Sequence, residues 1–536
     1  MKNYAKKITA AFLAAMMVIS AMPVSAYAAD GISYVRRSWN SSTKQVEKVT
    51  DTCTNYTHLW DYSEDDDHTL YSGWYIADNG LSFDELEVVG TVNIIVPDGN
   101  YLYCDEGIIV NPGNTLNIYG QANDSGILDI FNSDNYCAGI GGSDETNCGT
   151  INIYGGTVKA EADYEAAGIG SGDEATGTNG TISIYGGSVT ATGASWGAGI
   201  GGGDEVGGGT VRIYGGNVTA NGGKRAAGIG GGNKANGGTV EIYGGDVTAN
   251  GGGWGAGIGG GNNGNSGNIT INGGKVTATG GDGGAALGDG DGEVYCSGNI
   301  TINGGDITAK GGDEAAGNGG GNQGGQYAGN ITINDGTIDA TGGQYAAGIG
   351  GGDQEPSGMI DIYGGNITAT GGKYAAGIGG GDEAGAERIR IYGGTIDTYG
   401  STGIGSGANG KIGTIIISGG EIDAQGRTYG AGIGGSWESI GGSITISDGK
   451  VISKGGYGAA GIGCGYKSED TEHVTITISG GEVEASGGRG SYGRLWSATA
   501  SNNDNAFRLG YRNNEVTPVK AYNKWDAFAL RCIVKP

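Results

Sequence analysis

The stretch Thr210-Val-Arg-Ile-Tyr-Gly-Gly-Asn-Val-Thr-Ala-Asn-Gly-Gly-Lys-Arg-Ala-Ala-Gly-Ile-Gly230 holds the three strands of one repeat unit. Its first strand alternates apolar and polar residues, its second follows a Gly-Gly corner, and Ala226–Gly230 follows another. This pattern points Val211, Ile213, Val218 and Ile229 inward, with Arg212 and Thr219 outward. Aligned on Gly-Ile-Gly, the unit recurs about Ile140, Ile169, Ile200, Ile229, Ile258, Leu287, Asn318, Ile349, Ile378, Ile404, Ile433 and Ile462. A repeat of this regularity means stacked, equivalent units. Three short strands and three corners per unit predict an all-β chain, a parallel β-helix solenoid of at least 12 coils. Parallel crossovers favour the right-handed sense. At about 4.8 Å per coil the rod would be roughly 60 Å long.

Composition agrees by exclusion. Of 536 residues 122 are Gly and only 6 are Pro, without the Gly-X-Y period of collagen. So much Gly also argues against a helical or α/β enzyme. The formal charge of −27 argues against nucleic acid and anionic membranes as partners. Seven scattered Cys and three His make a His-based zinc site or triad a poor reading.

The solenoid is assigned to residues 81–488, opening with Val89–Val96, Gly107–Val110 and Thr115–Tyr119. Residues 29–80, with the acidic run 64–67, are expected to cap the exposed edge of the first coil. Residues 1–28 have the form of a secretory signal: Lys2, Lys6 and Lys7, an apolar run from Ile8 to Met22, and Ala26-Tyr-Ala28. The expectation is an exported protein, extracellular or cell-surface associated, monomeric and without membrane insertion. Segment 489–536 is basic, with eight Lys and Arg against three Asp and Glu, and reads as a separate element.

Two resemblances carry functional implications. Gly73-Trp-Tyr, Gly90-Thr-Val-Asn-Ile-Ile-Val-Pro-Asp-Gly99 and Asn117-Ile-Tyr-Gly-Gln121, followed by Ala-Gly-Ile-Gly-Gly units, resemble the Gly-rich β-helix modules of secreted and surface proteins of Gram-positive gut bacteria. Those modules are commonly described as carbohydrate-binding. Leu495-Trp-Ser-Ala-Thr499, Asn505-Ala-Phe-Arg-Leu509 and Phe528-Ala-Leu-Arg-Cys532 resemble the final strands of C-type-lectin-like domains. That group includes formylglycine-generating-enzyme-like proteins and retroelement-diversified variable proteins. The resemblance implies a binding role for Trp496 and for Asn502, Asn503, Asn505, Asn513, Asn514 and Asn523, which fall among the framework residues. The segment is under half the usual length of that fold. Its single Cys532 does not support formylglycine-generating chemistry, which resembles a two-thiol site.

In a solenoid, equivalent positions stack into columns, and three columns stand out. Four residues after the central Ile come Asp144, Asp173, Asp204, Asn233, Asn262, Asp291, Asn322, Asp353 and Asp382, then Ala408, Trp437 and Tyr466. One reading is a left-handed corner with amide ladders. The other is calcium, held by Asp144, Asp173, Asp204, Asp353 and Asp382, since oxygen-rich turns suit hard cations. Three residues before Gly-Ile-Gly stands a variable, solvent-facing position, with Tyr136, Glu165, Trp196, Arg225, Trp254, Gly284, Glu314, Tyr345, Tyr374, Tyr429 and Gly458. Its aromatics, Tyr136, Trp196, Trp254, Tyr345, Tyr374 and Tyr429, could form a platform for sugar rings or simply a packing ladder. Tyr119, Tyr154, Tyr185, Tyr214, Tyr243, Tyr363 and Tyr392 end the first strands, with Asn272, Asn303 and Asn334 between, and read as stacking.

The functional expectation is a secreted, non-catalytic binding or adhesion protein. It would recognise carbohydrate or a cell-surface protein through the aromatic columns, the C-terminal segment, or both. A calcium-dependent β-helix polysaccharide lyase is the enzymatic alternative, with Arg212, Lys224 and Arg225 near Asp204 and Glu205 as its best cluster. A structural spacer is the third reading.

Overall fold

A computed structural model describes residues 31–62, 67–133, 136–177, 179–292, 298–322, 327–468, 474–488 and 529–533. The signal-like segment and nearly all of 489–536 lie outside the described residues. These include Trp496, Asn502, Asn503, Asn505, Asn513, Asn514 and Asn523.

The chain winds as a parallel β-solenoid. Each coil contributes a first strand such as Thr210–Ile213, a second such as Asn217–Asn221, and a two-residue third such as Ile229–Gly230. Thirteen third strands follow one another from Ile108–Ile109 to Ile462–Gly463. Among the described residues the one helical segment is the 3-10 turn Leu59–Asp61. None is long and apolar enough to cross a membrane.

Register is set by the alternation. Val211 pairs with Ile182 below and Val240 above, Val218 with Val189 and Val247, and Ile229 with Ile200 and Ile258. All of these are buried, in one core that runs continuously from Leu59 to Ala485. A buried Val or Ile stabilises by about 1.5–3 kcal/mol. Since each coil is covered only by its neighbours, that gain belongs to the stack. The third strand needs Gly for a steric reason. Gly230 has φ +135°, and a Cβ there would lie 2.1 Å from the carbonyl oxygen of Gly259.

The corner after the third strand differs from expectation by one position. The left-handed residue is the one after the Asp/Asn column, as at Glu174 (φ 42°), Glu205 (φ 56°), Lys234 (φ 58°) and Glu383 (φ 53°). The Asp carboxylate instead accepts that residue's N–H, at 3.0 Å for both Asp204–Glu205 and Asp382–Glu383. The amide ladder is present: Asn233 Nδ2 donates to Asp204 Oδ1 at 2.7 Å, and Asn262 Nδ2 to Asn233 Oδ1 at 3.3 Å.

Residues 31–62 and 67–80 divide into two parts. Thr57–His58 and His68–Ile76 join the stack as parallel strands. Ile32–Asn40 and Gln45–Cys53 form an antiparallel hairpin along the flank, where the Val35 N–H donates to the Gly120 carbonyl at 2.9 Å. The hairpin roofs the tyrosine column. Tyr34 packs on Tyr119 (centroids 5.0 Å apart), and Trp39 lies 5.6 Å from Tyr214 and 5.1 Å from Tyr243. Arg37, 8% exposed, donates to the Asp124 carboxylate and to the Tyr154 carbonyl. At the far end Ala529–Ile533 pairs antiparallel with Glu482–Ser486. Cys53, Cys104 and Cys148 are buried thiols.

Candidate functional site

Two of the three columns prove to be neighbours. At most rungs the backbone carbonyl of the variable residue accepts the N–H of the Asp/Asn-column residue in the next coil. Glu165 receives Asp204 at 2.9 Å, Trp196 receives Asn233 at 2.8 Å, Arg225 receives Asn262 at 2.8 Å, and Tyr345 receives Asp382 at 2.7 Å. A strip two residues wide therefore runs up one corner of the rod, with aromatic and charged side chains beside carboxylates and amides.

The aromatic members form three short groups, not a continuous platform. Arg225 sits between Trp196 and Trp254, with its guanidinium carbon 5.6 and 5.1 Å from the two ring centroids, and Lys224 Nζ lies 4.9 Å from Trp254. Such cation–π contacts are worth about 0.5–2 kcal/mol each. Tyr345 and Tyr374 are nearly parallel, with centroids 5.6 Å apart and 10° between planes, and Lys373 lies over Tyr374. Tyr429 packs against Trp437 and Tyr466, both at 4.9 Å. Those two partners occupy the Asp/Asn column, which turns aromatic in the last coils. Tyr136 is set apart and packs on Tyr164, 5.4 Å away. The six variable-column aromatics are half-buried, whereas Tyr164 is 47% exposed.

Of the five predicted carboxylates, the structure groups two. Asp173 and Asp204 are buried and meet Glu165, with carboxylate oxygens of all three within 4.8 Å of one another. Burial first, then the charges of Glu165 and Asp204, push the Asp173 carboxyl up to about 7. Asp204 is also raised by burial, opposed by its bond from Asn233. Asp353 and Asp382 are half-buried on successive coils, and burial pushes Asp382 up to about 6. Asp144 is exposed. The sequence displays Glu165, Trp437 and Tyr466, but not that the two columns touch.

The basic cluster behind the lyase alternative is not assembled as one site. Arg212 stands on the outer face of a first strand, paired with Glu241 at 2.6 Å. Lys224 and Arg225 lie on the other corner, against the tryptophans.

The tyrosine column is a stacked ladder. Consecutive rings from Tyr119 to Tyr243 are 4.7–5.0 Å apart and within 16° of parallel. A groove of about 470 Å³ lies beside the starts of late first strands, lined by Tyr327, Glu387, Lys411, Thr414 and Ser443 among others.

No curated protein and no solved structure matches the chain. The model described as "Beta helix repeat" matches residues 151–173, 182–204, 208–233, 240–262, 269–291, 300–322, 331–353, 360–382, 415–437, 444–466 and 476–497. Between its first and last matches the one unit skipped falls at the shortest coil, where the central residues Ile378 and Ile404 are closest in sequence. With the same units seen in the sequence, the family model and the stacked strands, the chain is a beta helix repeat protein.

Proposed function

We propose that this protein is a secreted, non-catalytic binding module that presents the third-strand corner to carbohydrate on a cell surface. The observation that carries the reading is the pair of parallel, half-buried rings of Tyr345 and Tyr374, flanked by Lys373. Such rings offer apolar faces to sugar, with polar groups alongside to orient it. The Trp196–Arg225–Trp254 group supplies a second patch on the same strip. Both lie on turns whose backbone is hydrogen-bonded to the next coil, as Trp196 is to Asn233 and Tyr345 to Asp382, so binding costs little ordering of the protein. The basic segment 489–536, through its lectin-like resemblance, is a further recognition element and could instead take a cell-surface protein.

Glycan binding by the full chain tests this. The double variant Tyr345→Ala/Tyr374→Ala should lose at least about tenfold in affinity, roughly 1.4 kcal/mol. Trp196→Ala/Trp254→Ala should weaken binding less, because Arg225 already occupies part of those ring faces. Undiminished binding by both variants, with circular dichroism unchanged, would sink the corner reading. If a chain ending at residue 488 then failed to bind, recognition would pass to the C-terminal segment. Release of unsaturated products from a polysaccharide would favour the lyase alternative instead.

A further inference from the structure

Each variable-column residue stands beside two positions of the neighbouring column, one in its own coil and one in the next. Trp196 has Asp204 and Asn233, Arg225 has Asn233 and Asn262, and Glu314 has Asn322 and Asp353. At Glu165 alone among these rungs all three positions are acidic: Glu165, Asp173 and Asp204.

Two of the three carboxylates are buried. Asp173 is 7% exposed and Asp204 2% exposed. Asp173 Oδ1 is buried and has no hydrogen-bond partner among the described residues. Asn233 Nδ2 occupies Asp204 Oδ1 from the coil above, and the Asp173 N–H is spent on the Tyr136 carbonyl at 3.0 Å. The nearby Lys234 pairs with Glu205 at 2.5 Å, and none of the three carboxylates forms an ion pair among the described residues. Two oxygens on one Ca²⁺, at 2.3–2.6 Å each, can stand up to about 5 Å apart, whereas Mg²⁺ at 2.0–2.1 Å spans only about 4.2 Å. Every pair in this cluster falls inside the calcium limit of reach.

We propose that Glu165, Asp173 and Asp204 bind one calcium ion, which ties two successive coils together at the corner. The donors are all oxygens, two of the three residues are buried, and the lone buried oxygen of Asp173 gains its partner in the ion. The other predicted carboxylates lack this closure. The Glu314 rung substitutes Asn322 for the second acid, and Asp144 is exposed. This site does not depend on the carbohydrate reading.

The test uses the full exported chain, stripped with chelator and titrated with CaCl₂ by calorimetry. Tb³⁺ emission excited through nearby aromatics such as Tyr136 provides a second readout. One site is expected, at least tenfold weakened in Asp173→Asn, lost in Glu165→Gln, and unchanged in Asp382→Asn. Calcium should also raise the melting temperature of the wild type more than that of Glu165→Gln. No heat and no Tb³⁺ emission up to millimolar metal would overturn the proposal, as would wild-type binding in Glu165→Gln. Tighter binding of Mg²⁺ than Ca²⁺ would overturn the choice of ion. Glycan binding that persists in the stripped protein, together with a confirmed ion, separates this site from the corner platform.

Discussion

The tyrosine rungs from Tyr119 to Tyr243 and the asparagine rungs Asn272, Asn303 and Asn334 occupy one column of one repeat, yet they are finished differently. The tyrosines stack at 4.7–5.0 Å and lie beneath the N-terminal hairpin. The asparagines are bare, linked by amide hydrogen bonds of 2.9 and 2.7 Å. Farther along, Tyr363 and Tyr392 stack again at 4.7 Å with no hairpin over them among the described residues, and are 48% and 39% exposed. The coil spacing of about 4.8 Å matches both a ring stack and an amide ladder. The column therefore accepts either, and stacked rings alone do not mark a binding site. What separates the regions is the roof.

The largest expected effect removes the roof's anchor. In Arg37→Ala the Asp124 carboxylate loses its guanidinium partner, and the Tyr154 carbonyl loses its donor. Breaking a pair this buried should cost about 3 kcal/mol. Because the hairpin meets the rod through few side chains, the loss should appear first as faster proteolysis and amide exchange within residues 32–53. Tyr392→Ala, in the unroofed part of the same column, should cost less than about 1 kcal/mol. Equal costs would mean that stacking, and not the roof, distinguishes the two regions.

Much of this molecule is legible in its residues because a solenoid repeats its instructions. Alternation at Thr210–Ile213 sets which face is buried, and the recurrence of Gly-Ile-Gly sets the register of every coil above it. The stacking of the tyrosine column also follows, since equivalent positions must lie one rise apart. Contacts between non-equivalent positions are hidden. The Glu165 carbonyl to Asp204 N–H bond joins non-equivalent positions of successive coils, so the meeting of Glu165 with Asp173 and Asp204 needs the folded corner. The hairpin is hidden as well: Tyr34, Arg37 and Trp39 belong to no repeat, and their targets lie as far away as Tyr243. The left-handed residue stands one position beyond the Asp/Asn column, and the column residues do not reveal this because Asp and Asn suit both roles, adopting that conformation or accepting the next N–H.

A smaller effect sharpens the contrast in the core. Around the asparagine rungs the interior becomes polar: Asn318 replaces the central Ile between Leu287 and Ile349. It is fully buried, and neither of its amide atoms has a partner among the described residues. Glu355 is equally buried, and burial together with Asp289 holds its carboxyl well above the usual range. Leaving a buried amide unsatisfied costs about 1–3 kcal/mol. Asn318→Ile should therefore raise stability in urea by about 2 kcal/mol. A loss of stability would show that the amide is satisfied in solution and that the polar interior is built to hold something.

The smallest effect tests the bare ladder. Asn303 donates to Asn272 and accepts from Asn334, both at the surface where water competes for the same groups. Exchange of a solvated amide bond for water is nearly even, so Asn303→Ala should cost no more than about 1 kcal/mol by thermal unfolding. Asn303→Tyr restores an aromatic rung between two asparagines. Without ring neighbours or a hairpin above it, the new ring should add nothing measurable. If it stabilised the rod as strongly as the Arg37 anchor does, the column would be a source of stability in its own right. The roof would then be an addition to the tyrosine ladder and not the reason for it.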